Sequence, residues 1–240
     1  MTITEQQTVA EVAAQSLGAV RTFEKHGIDY CCGGKRPLEE VCREKGLATG
    51  QLLAELASAT SVAGEQDKDW QSASMRSLIG HIVQTHHAYL KRELPALTER
   101  FRKVVFAHGE RDGAVLLPME GIFADMREEL EAHMYKEEFI LFPMIGRYEA
   151  AAEAGAPLPM APFGSIANPI RMMEREHDSA GGGLARIREL SGGFELPAHA
   201  CGAYRALYQG LQELEADLHV HIHLENNILF PRVIRLEAGR

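Results

Sequence analysis

His133-Met134-Tyr135-Lys136-Glu137-Glu138-Phe139-Ile140-Leu141-Phe142-Pro143 returns 88 residues later as His221-Ile222-His223-Leu224-Glu225-Asn226-Asn227-Ile228-Leu229-Phe230-Pro231. Both copies keep His-x3-Glu and both end in Ile-Leu-Phe-Pro. Four residues apart on a helix, an imidazole and a carboxylate stand one turn above each other on the same face and can serve one metal ion. One such pair alone is ordinarily a solvated surface pair. Its repetition with matched neighbours argues for a built site.

Working outward, each copy lies on an apolar stripe of helical period. The first reads Ile122, Met126, Leu130, His133, Glu137, Ile140, Met144, and the second Tyr204, Leu207, Leu211, Leu214, Leu218, His221, Glu225, Ile228. A glutamate on a buried stripe needs a cation or hydrogen-bonding partners, because burying a carboxylate alone costs several kcal/mol. Two further stripes carry a histidine each. Ile79, Val83, Leu90, Leu94, Leu97, Phe101 and Val104 form one, bordered by His86 and His87, between which periodicity does not choose. Ile170, Met173, His177, Leu184 and Ile187 form the other. Gly109 and Gly113 are expected to close the first long helix, Pro95 to kink or break it, and Pro118 to open the second. Gly181-Gly182-Gly183 marks either a close helix approach or a local break in the third. His219 and His223 face away from His221 and are expected in solvent, and His26, His108 and His199 in or near loops are expected not to ligate.

Upstream, Thr8-x-x-Glu11 has the form of a capping box, and a helix is expected from there to about Lys25. Gly27, Gly33 and Gly34 bracket Ile28-Asp29-Tyr30-Cys31-Cys32, and helices opening near Pro37 and Thr49 complete a small helical module. The polar stretch that follows is the expected boundary. The reading is therefore all-α: a small helical domain over residues 1–60 with the Cys31-Cys32 loop, a linker over 61–73, and an antiparallel four-helix bundle over 74–240.

Composition excludes several function classes. A 45% hydrophobic and 25% charged chain is ordinary for a globular protein. Lys plus Arg number 25 against 34 Asp plus Glu, a formal net charge of −9 without a basic run, so no electrostatic footprint for nucleic acid is expected. No apolar run approaches a membrane span, and Met1 to Glu5 lacks the pattern of an export signal, so a cytoplasmic protein without membrane contact is expected. The four cysteines do not form a secreted disulfide framework and are expected to be free thiols.

Four histidines and two glutamates converging in a bundle exceed the four ligands of one zinc but suit two irons sharing two carboxylates. Carboxylate-rich di-iron bundles use Glu-x-x-His, whereas His-x3-Glu with four histidines is the hemerythrin-like arrangement. At these same residues the chain resembles the di-iron iron-sulfur cluster repair proteins, the repair of iron centres family. The resemblance covers essentially the whole chain. It is carried by Asp29-Tyr30-Cys31-Cys32-Gly33-Gly34-Lys35, by the two repeated motifs, and by Glu176-His177-Asp178.

The resemblance implies a cytoplasmic stress protein that restores iron-sulfur clusters damaged by nitric oxide or peroxide. It selects His87, eight residues before the proline of Leu94-Pro95, over His86. It implies His87, His133, His177 and His221 as terminal ligands of two non-heme irons per chain, bridged by Glu137, Glu225 and an oxo or hydroxo group. The expected partners are damaged iron-sulfur proteins or cluster scaffolds and small diatomic ligands, and a homodimer is compatible with this reading. Iron supply to damaged clusters is the favoured function, with a di-iron binder or reductase of oxygen or nitric oxide as the alternative. The cysteine loop favours the first, since a simple gas binder has no use for it. With Lys35 and Arg36 close behind, Cys31 and Cys32 are expected to have a lowered thiol pKa and a redox or iron-transfer role. Glu138 and Glu176 adjoin ligands, where hydrogen bonding to imidazole competes with plain solvation.

Overall fold

The computed structural model describes residues 3–61 and 69–239, with Leu17, Thr60 and Ser61 described by backbone alone. Part of the expected linker, residues 62–68, lies outside the described residues. Among those described there is no strand, only two isolated bridges, Thr8 with Pro37 and Ala161 with Gly164. The fold is all-α, as expected.

The chain forms two compact units that interleave along the sequence. One comprises the described residues of Met1–Ile79, Tyr148–Pro159 and His219–Arg240, and the other Gly80–Arg147 and Met160–Leu218. In the first unit, α1 (Val9–Ala13) starts at the capping box: Glu11 N–H donates to Thr8 Oγ1 at 3.2 Å and Thr8 N–H to Glu11 Oε2 at 2.8 Å. Such a cap stabilises a helix by about 1 kcal/mol. The expected single helix to Lys25 is in fact two. Ser16 leaves helical geometry (ψ 153°), and its hydroxyl accepts from Ala19 N–H to start α2 (Leu17–Lys25). A serine that can cap a new helix competes with continuing the old one. α3 (Leu38–Lys45) ends at Gly46, whose φ of 66° is the left-handed conformation of a helix C-terminus. α4 (Thr49–Ser61) follows. Val9, Val12, Val20, Phe23, Tyr30, Leu38, Leu52, Leu56 and Ile222 form one buried cluster, so the N-terminal helices pack on the turn that carries the second motif.

The second unit is built on α6 (Ala88–Lys136), which follows α5 (Met75–Ile82). Unbent, 49 helical residues would extend about 74 Å. Instead the rings of Phe101 and Phe123 lie 5.1 Å apart, and Arg127 Nη1 donates to Thr98 Oγ1 at 2.9 Å. Both pairs are centred near residue 112, so the chain doubles back there between Gly109 and Gly113. The expected break is therefore corrected to a reversal within helical backbone. Pro95 does not break the helix and Pro118 does not open one, since both lie inside it. Leu90, Leu94, Leu97, Phe101 and Val104 on one arm and Leu116, Met119, Phe123, Met126 and Leu130 on the other face a common core. That core is completed by Leu184 and Ile187 of α8 (Ala167–Leu190) and by Leu207, Leu211, Leu214 and Leu218 of α9 (Gly202–His223). Each such burial stabilises by about 1.5–3 kcal/mol. α8 runs unbroken through its glycines. A Cβ on Gly183 would touch Met126 Sδ at 3.5 Å, so the close approach to α6 is the reading that holds.

Among the described residues, three five- or six-residue π-turns interrupt the helices: Val83–His87, Glu137–Leu141 before α7 (Phe142–Glu153), and Leu224–Leu229 before α10 (Phe230–Ala238). Each holds or begins beside a candidate ligand. A π-turn adds a residue to the turn and so rotates everything beyond it. The expected stripe is corrected accordingly: Ile140 is 48% exposed, and Leu141 takes its buried place.

Candidate metal centre

In the second unit three helical segments deliver four of the expected ligands to one place. His87 closes its π-turn, His133 is in the last turn of α6, Glu137 opens the next π-turn, and His177 is mid-way along α8. All four are buried, Glu137 completely. His87 Nε2 lies 3.3 Å from Glu137 Oε2, His133 Nε2 lies 3.3 Å from Glu137 Oε1, and the Nε2 atoms of His133 and His177 are 3.1 Å apart. His86, which periodicity did not separate from His87, turns to Asp217 instead, with Nδ1 2.9 Å from Oδ1.

The far sides of two of these rings are fixed by carboxylates. His87 Nδ1 lies 2.8 Å from Glu138 Oε1 and His133 Nδ1 lies 2.8 Å from Glu176 Oε2. Lys91 also binds Glu138, at 2.6 Å, and Lys136 binds Glu176. The bond from His133, reinforced by Lys136, holds the Glu176 carboxyl down at about 2. Burial works to raise Glu138, but the bonds from Lys91 and His87 outweigh it and leave Glu138 below its usual value. Both carboxylates are thus ionised acceptors, which puts the ring proton on Nδ1 and leaves Nε2 as a lone pair. Those lone pairs converge on another imidazole nitrogen and on a buried carboxylate. Such a set repels itself until a cation sits among its atoms, and imidazole with carboxylate is the donor chemistry of iron and related ions. The group implied by the sequence therefore fits.

In the first unit the second motif repeats the inner pairing. His221 Nε2 lies 3.1 Å from Glu225 Oε1, and both residues are buried. Its outer side overturns an expectation. His223 is buried rather than solvated, its ring 5.5 Å from Tyr30 and its Nδ1 2.8 Å from Asn227 Nδ2, while His219 is half-buried 6.2 Å from the same tyrosine. Burial pushes the His223 pKa down to about 4, which leaves the ring neutral. The asparagines of the motif hold the cysteine loop: Asn227 Nδ2 donates to Tyr30 O at 2.8 Å and Asn226 Nδ2 to Cys31 O at 3.2 Å.

That loop is wound around Asp29, whose carboxylate accepts from the amides of Cys31 and Cys32 at 3.0 Å and of Gly33 at 2.8 Å. Gly34 is required by contact, since a Cβ there would lie 2.6 Å from Tyr30 O. Cys31 and Cys32 are free thiols, and with Asp29 they offer three donor atoms within 4.8 Å of one another. The expectation of a lowered pKa is corrected for Cys31. Its hydrogen bond to Cys32, its burial and the neighbouring Asp29 all push the thiol up. Arg36, expected to supply positive charge, is engaged by Glu40 and Glu44.

Sequence reasoning left Glu138 and Glu176 undecided and missed the three π-turns. The carboxylates had a signal, since each adjoins a histidine-bearing turn with a lysine within reach. The π-turns had none in hydrophobic periodicity.

Residues 78–233 match the hemerythrin HHE cation binding domain, and residues 5–60 match a domain of unknown function, DUF542. The chain is 40% identical to a "Probable iron-sulfur cluster repair protein" of Haemophilus influenzae, over 95% of this chain and 97% of the relative. It is 37% identical to the "Iron-sulfur cluster repair protein YtfE" of Yersinia pseudotuberculosis and of Yersinia pestis, in each case over 96% of this chain and 98% of the relative. With a hemerythrin HHE domain across more than half its length and relatives matched almost end to end, the chain belongs to the iron-sulfur cluster repair protein family.

Proposed function

We propose that the chain repairs damaged iron-sulfur clusters by supplying iron from a non-heme centre of two irons. His87, His133, His177 and His221 would hold it as terminal ligands, and Glu137 and Glu225 as carboxylates shared between the irons. The observation that carries this reading is the pair of histidines, His87 and His133, whose Nε2 atoms lie 3.3 Å from the buried Glu137 carboxylate while Glu138 and Glu176 lie 2.8 Å from their Nδ1 atoms. The repeat of the inner pairing at His221 and Glu225 supports it, as does a family match whose span contains all six residues. Bound iron supplies exchangeable cations to sites that have lost them. The protein's own part is to keep imidazoles neutral, to orient them, and to hold ligand protons away from the metal.

In this reading residues 1–60 are a distinct module, joined through 61–73 to the bundle of residues 74–240. Cys31 and Cys32 are its iron-transfer ligands. Because the Cys31 thiol is held protonated, the pair takes a metal only as the metal displaces protons. Damaged iron-sulfur proteins are the partners.

Reactivation of a nitric-oxide-damaged iron-sulfur enzyme by iron-loaded protein tests the reading. Reactivation should scale with iron loading, and a Cys31→Ala, Cys32→Ala double variant should keep two irons per chain and reactivate more slowly. Equal reactivation by iron-free protein would overturn iron supply, and equal rates for the double variant would remove the cysteines from it.

A further inference from the structure

The chain contains a third His-x3-carboxylate pair. His108 and Asp112 are one turn apart on α6, where the helix doubles back. The segment just before α9 brings His199 and Cys201 to them. His199 Nε2 lies 2.8 Å from Asp112 Oδ2, Cys201 Sγ lies 3.2 Å from His108 Nε2, and the two imidazole rings are 5.8 Å apart. Donor atoms of His108, Asp112 and His199 lie within 4.8 Å of one another. The three are half-buried, Cys201 is exposed, and all four belong to the second unit.

We infer that His108, Asp112, His199 and Cys201 form a zinc site separate from the His/Glu centre. Two imidazoles, one thiolate and one carboxylate make a four-ligand set of borderline softness, which suits tetrahedral Zn²⁺. Bond lengths near 2.3 Å to sulfur and 2.0–2.1 Å to nitrogen give a tetrahedral edge of about 3.5 Å. The His108–Cys201 and His199–Asp112 pairs, hydrogen-bonded at 3.2 and 2.8 Å, reach that spacing by opening less than about 1 Å, and Cys201, which is not one of the three donors within 4.8 Å of one another, would move inward to complete the set.

The site has a structural use as well. The loop from Ser191 to Cys201 is anchored at its start by Phe194, buried at 7% exposure with a φ of 66° and packed under Arg188 and over Tyr208. A zinc ion at the other end would tie that loop to the reversal of α6. Binding releases the Cys201 proton and leaves every group at its starting oxidation state, so no further reactant is needed.

The test is titration of the purified full-length protein with Co²⁺, then with Zn²⁺. With Cys31 and Cys32 replaced by Ser, one equivalent beyond the iron present should bind, with the charge-transfer absorption of a cobalt thiolate, and Zn²⁺ should displace it. Cys201→Ser should abolish that absorption and weaken Zn²⁺ binding at least about tenfold, as loss of a ligand outweighs loss of a ligand's supporting partner. Because Cys201 is exposed, this variant should fold. A Cys31→Ser, Cys32→Ser variant should keep the absorption. The inference is overturned if no further equivalent binds, or if the cobalt thiolate absorption survives Cys201→Ser and vanishes with Cys31 and Cys32.

Discussion

The two copies of the repeated motif agree on their inner faces and part company on their outer ones. His133 with Glu137 and His221 with Glu225 are equally buried, and each pair is within 3.3 Å. One position further round, Tyr135, Phe139 and Ile140 of the first copy are 61%, 64% and 48% exposed, whereas their counterparts His223 and Ile228 are buried and Asn227 is half-buried. The second copy carries a cover, the N-terminal helices and the cysteine loop, and its residues hold it. Where the first copy has Tyr135, Glu138 and Phe139, the second has His223, which packs on Tyr30, and Asn226 and Asn227, which donate to loop carbonyls. Ligand geometry can thus be duplicated while the reverse side of the same helical turn diverges to a separate purpose.

The largest test addresses the inner equivalence. Glu137→Leu and Glu225→Leu should each drop the iron content well below two per chain, since five remaining ligands with one carboxylate neutralise two cations poorly. His223→Ala should retain the metal. Full iron in either glutamate variant would end that carboxylate's bridging role, and full iron in only one would show that the copies are not equivalent where they look most alike.

The outer difference should appear as stability. Tyr30 is 2% exposed in the core beneath the second copy, so Tyr30→Ala should cost about 3–5 kcal/mol, as large aromatic truncations in cores do. Phe139→Ala, on the bare face of the first copy, should change stability by less than about 0.5 kcal/mol. Chemical denaturation of both variants measures the contrast, and similar losses would mean that the first copy is covered too.

How far the sequence could be read follows the same division. The stripes that carry ligands were legible because helical periodicity reports which face is withdrawn from water, and His133, Glu137, His177, His221 and Glu225 all lie on that face. Periodicity does not report what covers the opposite face. His223 therefore read as solvated, although a second cluster of helices removes it from water. Nor can a fixed 100° step register an inserted residue, so the π-turn that exchanges Ile140 for Leu141 was invisible. The reversal of α6 near residue 112 is not legible either, because a glycine in a helical pattern does not say whether helical hydrogen bonding continues through it.

The hold of the second copy on the cysteine loop offers a smaller effect. Asn227→Ala removes the donor to Tyr30 O and the partner of His223 Nδ1, which should cost about 1–3 kcal/mol, the range for leaving a buried polar group without its partner. Thiol labelling should then be faster at Cys31, whose backbone is tied to the neighbouring Asn226, with iron content unchanged. An unaltered labelling rate would mean that the loop is held by Asp29 alone.

The smallest expected effect lies within the cover itself and depends on pH. Glu55 on α4 accepts from Lys25 Nζ at 2.8 Å and pairs with His26 Nε2 at 2.9 Å, which fastens α4 to the end of α2. The bonds from Lys25 first and His26 second hold its carboxyl down to about 2, below the value near 4.3 of an unfolded chain. A carboxylate whose folded pKa is depressed contributes stability that is present above the unfolded value and is lost as pH falls through the folded one. Because the pair is solvent-exposed, salt screens it and its contribution is small. Glu55→Gln should therefore unfold slightly more easily than the parent near neutral pH, and the gap should close as pH falls from about 4 toward about 2. Denaturation midpoints of both proteins across that range measure it, with added salt narrowing the neutral-pH gap. A gap that stayed constant into acid would mean that Glu55 acts through packing or its amide-like shape, and that charge has no part in holding the cover on the second copy.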